Sequence, residues 1–119
     1  MNSANTEALV TGFPDLYAEY YTPMNQSCMC WGFECGDGWF NLIDELSAKL
    51  EPLGAVAVQV KEKYGGLRYY CHAPTKTATE VFELVNKAED ESLKICELCG
   101  RPGETLGGGW LKTRCEECK

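Results

Sequence analysis

Four of the eight cysteines fall near the C-terminal end as two matched pairs, Cys96-Glu97-Leu98-Cys99 and Cys115-Glu116-Glu117-Cys118. Two residues between cysteines let one tight turn aim both sulfurs at a single point. Two such turns supply the four soft ligands of a tetrahedral Zn²⁺ site. The fifteen residues between the pairs match the spacing of zinc sites. Gly100, directly after the first pair, suits a backbone that needs a positive φ there. The intervening stretch holds Pro102, Gly103 and the run Gly107-Gly108-Gly109, too little apolar pattern to fold alone. Metal-binding energy in such a segment is folding energy. Cys96, Cys99, Cys115 and Cys118 are therefore the expected ligands of one structural zinc. Iron fits the same ligand set, but zinc is the default for a closed four-thiolate site. With no open coordination position for water, catalysis by this metal is not expected.

Charge narrows the partners. The chain of 119 residues has a formal net charge of −7, a size suited to one modest core. Residues 1–54 hold eight acids and a single base, Lys49, whereas residues 94–119 sum to +1. An acidic chain is repelled by a phosphate backbone unless its bases gather on one face, so nucleic acid is a disfavoured partner. The N-terminal stretch lacks a basic leader with an apolar core, and no segment approaches the roughly 18 apolar residues of a membrane span. A cytoplasmic protein without a membrane partner is expected. Its cysteines are then thiols or metal ligands; the rival is a secreted disulfide framework.

The rest of the chain reads as an α+β body over residues 1–94 carrying a Cys₄ subdomain, of zinc-knuckle or ribbon type, over 95–119. Leu9, Val10, Leu16, Tyr17, Tyr20 and Tyr21 predict one or two short helices within 6–21, closed by Pro23. Residues 22–36 read as a loop. Trp39, Leu42, Ile43, Leu46 and Leu50 recur at helical spacing after Asp37, a candidate N-cap, and Pro52 with Gly54 ends that helix. Val56, Val58 and Val60 alternate with Ala57, Gln59 and Lys61 as in a half-buried strand. Tyr64-Gly65-Gly66 then turns the chain into a partner strand, 67–71. Thr77 and Glu80 have capping-box spacing before a third helix with Val81, Leu84, Val85 and Ala88 on its inner face, extended by Ser92 and Ile95. The helices are expected to pack across the hairpin, which is marginal alone.

Outside the tail the chemistry is sparser. Cys28, Cys30, Cys35, Cys71 and His72 offer material for a second metal site. However, Cys28 and Cys30 are too close in sequence, and adjacent Cys71 and His72 should face opposite ways on a strand. Packed thiols are the expectation. Lys61, Lys63 and Arg68 near the hairpin turn are candidate contacts for an anion or a partner, although pairing with Asp44, Glu45 and Glu51 is the plainer expectation. Trp110 either anchors a partner or shields the metal, and shielding is the expected role. The single histidine, and the lack of a nucleophile elbow, leave no catalytic set.

The combined pattern Gly36-Asp37-Gly38-Trp39, then residues 60–69, then Cys96 to Gly103, then Gly109 to Cys115 resembles a group of small bacteriophage and prophage proteins of zinc-ribbon-like type. The resemblance covers about residues 28–118. It implies a phage-encoded factor acting in the bacterial host cytoplasm, and carries over no catalytic residue or substrate. Phage factors of this size often bind and redirect or inhibit host proteins, defence proteins included. The expected function is thus a zinc-stabilised protein-interaction module that binds a host protein, rather than an enzyme. A nucleic-acid-binding zinc-ribbon regulator is the alternative, and an enzyme with an unidentified active site the second alternative.

Overall fold

The computed structural model describes residues 1–23 and 26–119. Helix α1 covers Ser3–Gly12. Asn2 caps it by accepting from the Asn5 amide at 2.7 Å, and it buries Leu9 and Val10. Leu16 and Tyr17 follow in the turn beyond α1 and are fully buried. A 3₁₀ turn, Ala18–Tyr21, ends the segment with Tyr21 facing solvent.

The expected loop at 22–36 contains a second 3₁₀ turn, Cys28–Trp31, and a two-residue strand β1, Phe33–Glu34; its Met24 and Asn25 lie outside the described residues. Strand β1 runs parallel to β2 (Val56–Lys63), which pairs antiparallel with β3 (Gly66–His72). Sequence patterning missed β1 because two residues carry no period.

Helix α2 (Phe40–Leu50) is led in by a 3₁₀ turn at Asp37–Trp39. The predicted stripe is the core: Trp39, Ile43 and Leu50 are fully buried and Leu42 and Leu46 nearly so. Burying such side chains stabilises the fold by about 1.5–3 kcal/mol each. Asp37, however, does not cap α2. Its Oδ1 accepts from the Asn2 amide at 2.7 Å and from Asn5 Nδ2 at 3.2 Å, tying the start of α1 to the start of α2. The Asn2 bond, with Asn5 assisting, holds the Asp37 carboxyl below its usual range.

Two further local expectations gave way to long-range geometry. The register shifts between Ala57 and Gln59. This bulge changes the phase, so Ala57 and Val60 are the buried residues, while Val56 and Val58 are only half-buried. Thr77 forms no capping box on helix α3 (Ala78–Ser92). Its hydroxyl instead donates to the Leu53 carbonyl at 2.7 Å, fastening α3 to the chain that leaves α2.

Helix α3 covers the free edge of β3. Its Ser92 Oγ accepts from the Leu67 amide at 2.9 Å, and Glu89 Oε2 accepts from the Tyr69 amide at 2.9 Å. Those edge amides would otherwise invite another strand. Val81, Val85 and Ala88 face the core, as the sequence predicts. Between the layers, the Tyr17 hydroxyl bonds Ser47 Oγ at 2.6 Å and the Tyr69 hydroxyl at 2.8 Å, so these buried polar atoms are satisfied.

Residues 95–119 form a second layer. Strands β4 (Glu104–Leu106) and β5 (Lys112–Arg114) pair antiparallel, and a last 3₁₀ turn covers Glu116–Cys118. Among the described residues, no helix is long and apolar enough to cross a membrane.

Candidate metal centre

The two cysteine pairs converge. One ligand atom from each of Cys96, Cys99, Cys115 and Cys118 lies within 4.8 Å of all the others, and Cys99 Sγ stands 3.5 Å from Cys115 Sγ. A tetrahedral ion with bonds of about 2.3 Å to sulfur would hold its ligands about 3.8 Å apart, so the cluster has the right size for one metal. None of the eight cysteines is in a disulfide. Each pair sits on a tight turn. The Gly100 amide donates to the Cys96 carbonyl at 2.9 Å, with Gly100 at the φ of +83° that its place after Cys99 predicts. The Cys118 amide donates to the Cys115 carbonyl at 3.2 Å.

Backbone amides and the neighbouring sulfurs together set the charge of the cluster. Burial opposes ionisation of Cys96, but the amides of Cys115, Cys99 and Leu98 outweigh it and bring that thiol down to about 6. Burial is likewise outweighed at Cys115, by the Cys99 and Cys118 thiols, and its pKa falls. Cys118 is pushed up to about 12, mainly by its bond to the Cys115 sulfur and by burial. Four neighbouring sulfurs therefore cannot all ionise on their own, whereas a divalent cation would favour the thiolates.

A residue that the sequence reading passed over holds this centre against the body. Glu97, between the first two ligands, is only 7 % exposed. Its Oε2 accepts from the Gly36 amide at 2.8 Å and its Oε1 from Arg114 at 3.3 Å. Its own amide donates to the Thr113 carbonyl at 3.1 Å, and its carbonyl accepts from the Gly38 amide at 2.7 Å. Next door, Trp39 Nε1 donates to the Ile95 carbonyl at 2.9 Å. The Gly-Asp-Gly-Trp sequence is thus the seat of the first cysteine turn. A Cβ on Gly38 would fall on the Cys96 carbonyl oxygen, and one on Gly36 on the Glu97 carbonyl oxygen, far inside contact distance.

The hairpin turn makes the second attachment. Tyr64 and Gly65 both have positive φ, 56° and 84°, the two-residue turn whose twist matches a hairpin. The Gly65 carbonyl accepts from the buried Thr113 hydroxyl at 2.6 Å, and Lys112 Nζ reaches Glu62 Oε1 at 3.0 Å. Partial burial opposes ionisation of Glu62, but the Gly65 amide and Lys112 outweigh it and hold its carboxyl below the usual range. A depressed folded value means that its stabilisation is complete above the unfolded pKa of about 4.3 and is lost as pH falls through the folded one. Glu62→Gln is expected to cost about 1 kcal/mol near neutral pH. That cost, read as a difference in thermal unfolding from the parent protein at each pH, should shrink towards zero in acid.

The remaining candidates fare differently. Trp110 does not shield the cluster: it is 74 % exposed, with Lys112 Nζ 5.4 Å from its ring centroid. Three glycines before it leave that stretch free to stand away from the sulfurs. Among the described residues, Lys61, Lys63 and Arg68 form no ion pair with Asp44, Glu45 or Glu51. Glu51 instead accepts from the Leu16 amide at 3.3 Å, and Lys63 Nζ lies 5.4 Å from the Tyr64 ring centroid. Lys63, Tyr64, Trp110 and Leu111 line one concavity of about 330 Å³.

Among the described residues no second group of metal-ligating side chains converges. Cys35 is buried, which pushes its thiol up to about 12, and burial also raises Cys71. Cys28 and His72 line an open cleft with Glu19 and Tyr70. No family model, curated protein or solved structure matches the chain.

Proposed function

We propose that the protein is a zinc-stabilised protein-interaction module, a phage-type accessory factor that binds and inhibits or redirects a bacterial host protein. Zinc is the metal that a closed set of four thiolates favours. Bound there, it would neutralise the sulfurs and fix residues 95–119; it would supply no reaction chemistry.

One observation supports the binding role most directly. Tyr64 and Trp110, 67 % and 74 % exposed, stand with Leu111 around the same concavity. Tyr64 comes from the body and Trp110 from the metal-bound layer. Large exposed aromatic side chains are the usual anchors of protein interfaces. A bound metal would govern binding, because it would fix the layer that carries Trp110. The lysines beside both rings also suit the stacking of nucleic-acid bases, the second reading, against which the net charge of −7 acts.

Affinity capture from a bacterial lysate separates the two readings. The tagged protein is expected to retain a protein partner after nuclease treatment, and to lose it both in Trp110→Ala and after zinc is chelated. Capture of nuclease-sensitive nucleic acid would favour the second reading. Undiminished capture by Trp110→Ala would contradict the patch.

A further inference from the structure

The N-terminal elements enclose a different concavity, about 510 Å³ in volume. Helix α1 lends it Thr6 and Glu7, the turn at 18–21 lends Tyr20 and Tyr21, and the turn at 28–31 lends Trp31. Of the four aromatic residues that line it, Tyr20, Tyr21, Trp31 and Phe33, two are open to solvent, Tyr21 at 73 % and Trp31 at 60 %. Tyr20 and Tyr21 meet edge to face with centroids 5.1 Å apart, which fixes the angle between them. Gly32, at φ +73°, takes a backbone conformation that favours glycine as the chain turns beside this wall.

Charge says what such a wall receives. Residues 1–37, which contain all of these elements, carry five acids (Glu7, Asp15, Glu19, Glu34 and Asp37) and no lysine or arginine. Among the described residues none of the five is in a salt bridge with a basic side chain. Met1 also lines the concavity, but its ammonium is turned onto the carbonyls of Cys35 and Phe33, at 2.5 and 3.4 Å. The faces of aromatic rings carry negative charge density, indole most of all, and attract cations within about 6 Å of the centroid. Of the five acids, Glu7 lines the concavity, and aromatic walls beside that carboxylate in a net acidic segment favour an organic cation over an anion. Among side chains, the arginine guanidinium fits best, because it is planar, stacks on rings and is weakly hydrated.

We propose that this pocket binds an arginine side chain presented by a basic segment of a partner protein, with Tyr21 and Trp31 against the guanidinium and Glu7 pairing with its charge. The proposal goes beyond the zinc-stabilised module. It shares no lining residue with the Tyr64–Trp110 patch, so either can fail without the other.

The test is a titration of a fluorescein-labelled arginine-rich peptide into the full chain, read by anisotropy, with an equally long glutamate-rich peptide alongside. Saturable binding is expected for the arginine peptide only. Trp31→Ala and Tyr21→Ala should each weaken it about tenfold. Trp31→Phe should recover part of the loss, and Trp110→Ala should change nothing. Glu7→Gln should weaken binding and flatten its salt dependence. Both truncated rings are exposed, and far-ultraviolet circular dichroism checks that the variants remain folded. Binding that survives both alanine variants would mean diffuse attraction to an acidic surface, and would overturn the proposal. So would tetramethylammonium binding as tightly as the peptide, since the pocket would then serve a free small cation.

Discussion

The Cys99→Ser protein is expected to lose tightly bound zinc and, with it, the order of residues 95–119. Serine cannot supply the thiolate, and a three-sulfur remnant should bind the metal more than about 100-fold more weakly. The damage should not stop at the tail. Glu97 and Ile95 provide the partners of Gly36, Gly38 and Trp39, and Thr113 provides the partner of the Gly65 carbonyl. Once the cysteine turns open, those body groups face water or an empty interface. Hydrogen exchange should therefore rise first across 95–119, next at 36–39 and around Gly65, and least in the part of the hairpin where Val56 pairs with His72. Metal content and exchange measured on the same sample check both halves of this expectation. One equivalent of retained zinc with native protection would mean that Cys99 is not a ligand.

Gly38→Ala should be nearly as damaging, although it touches no ligand. Its new methyl would have to occupy the position of the Cys96 carbonyl oxygen, with the Glu97 carbonyl carbon also inside contact distance. Both are backbone atoms and cannot swing aside. Either the first cysteine turn lifts from its seat, losing the Gly38–Glu97 hydrogen bond, or the start of α2 shifts and strains Trp39. A cost of about 3 kcal/mol is expected, near the upper end for overpacking. In a domain of this size that lowers the thermal midpoint by about 12 °C. Gly12→Ala is the matched control. It ends α1 with nothing within 4 Å of the added carbon, and should leave stability unchanged or slightly raised. Equal midpoints for Gly38→Ala and the parent would mean that the Gly-Asp-Gly-Trp seat is not formed.

What the sequence made legible was local. The convergence of four cysteines was readable because C-x-x-C geometry is decided within one turn, and the α2 stripe because helical spacing repeats within eleven residues. The place of the hairpin turn followed from Tyr64-Gly65-Gly66 alone, although its type, with Tyr64 at positive φ, did not. What escaped depends on partners far along the chain. Asp37 had the look of a cap for its own helix, yet it serves α1, thirty-five residues away from Asn2. Thr77 had a capping partner three residues on, and bonds Leu53 instead. Val58 sits in a bulge that no alternation of valines reveals. Glu97 looked like a spacer between paired cysteines, although it is the bridge from the sulfur cluster to the body, bonding Gly36 sixty-one residues earlier. The same applies to Trp110: a wish to shield the sulfurs argued for burial, but the glycines before it let it stand in solvent beside Tyr64. Each miss is a side chain whose best partner lies on another element, which periodicity cannot encode.

The sulfur cluster is where the account is most exposed. Elemental analysis of the full chain, purified under reducing conditions and dialysed against metal-free buffer, is the measurement that reaches it directly. One zinc per chain is the predicted result. Folded protein with no firmly held metal would contradict it.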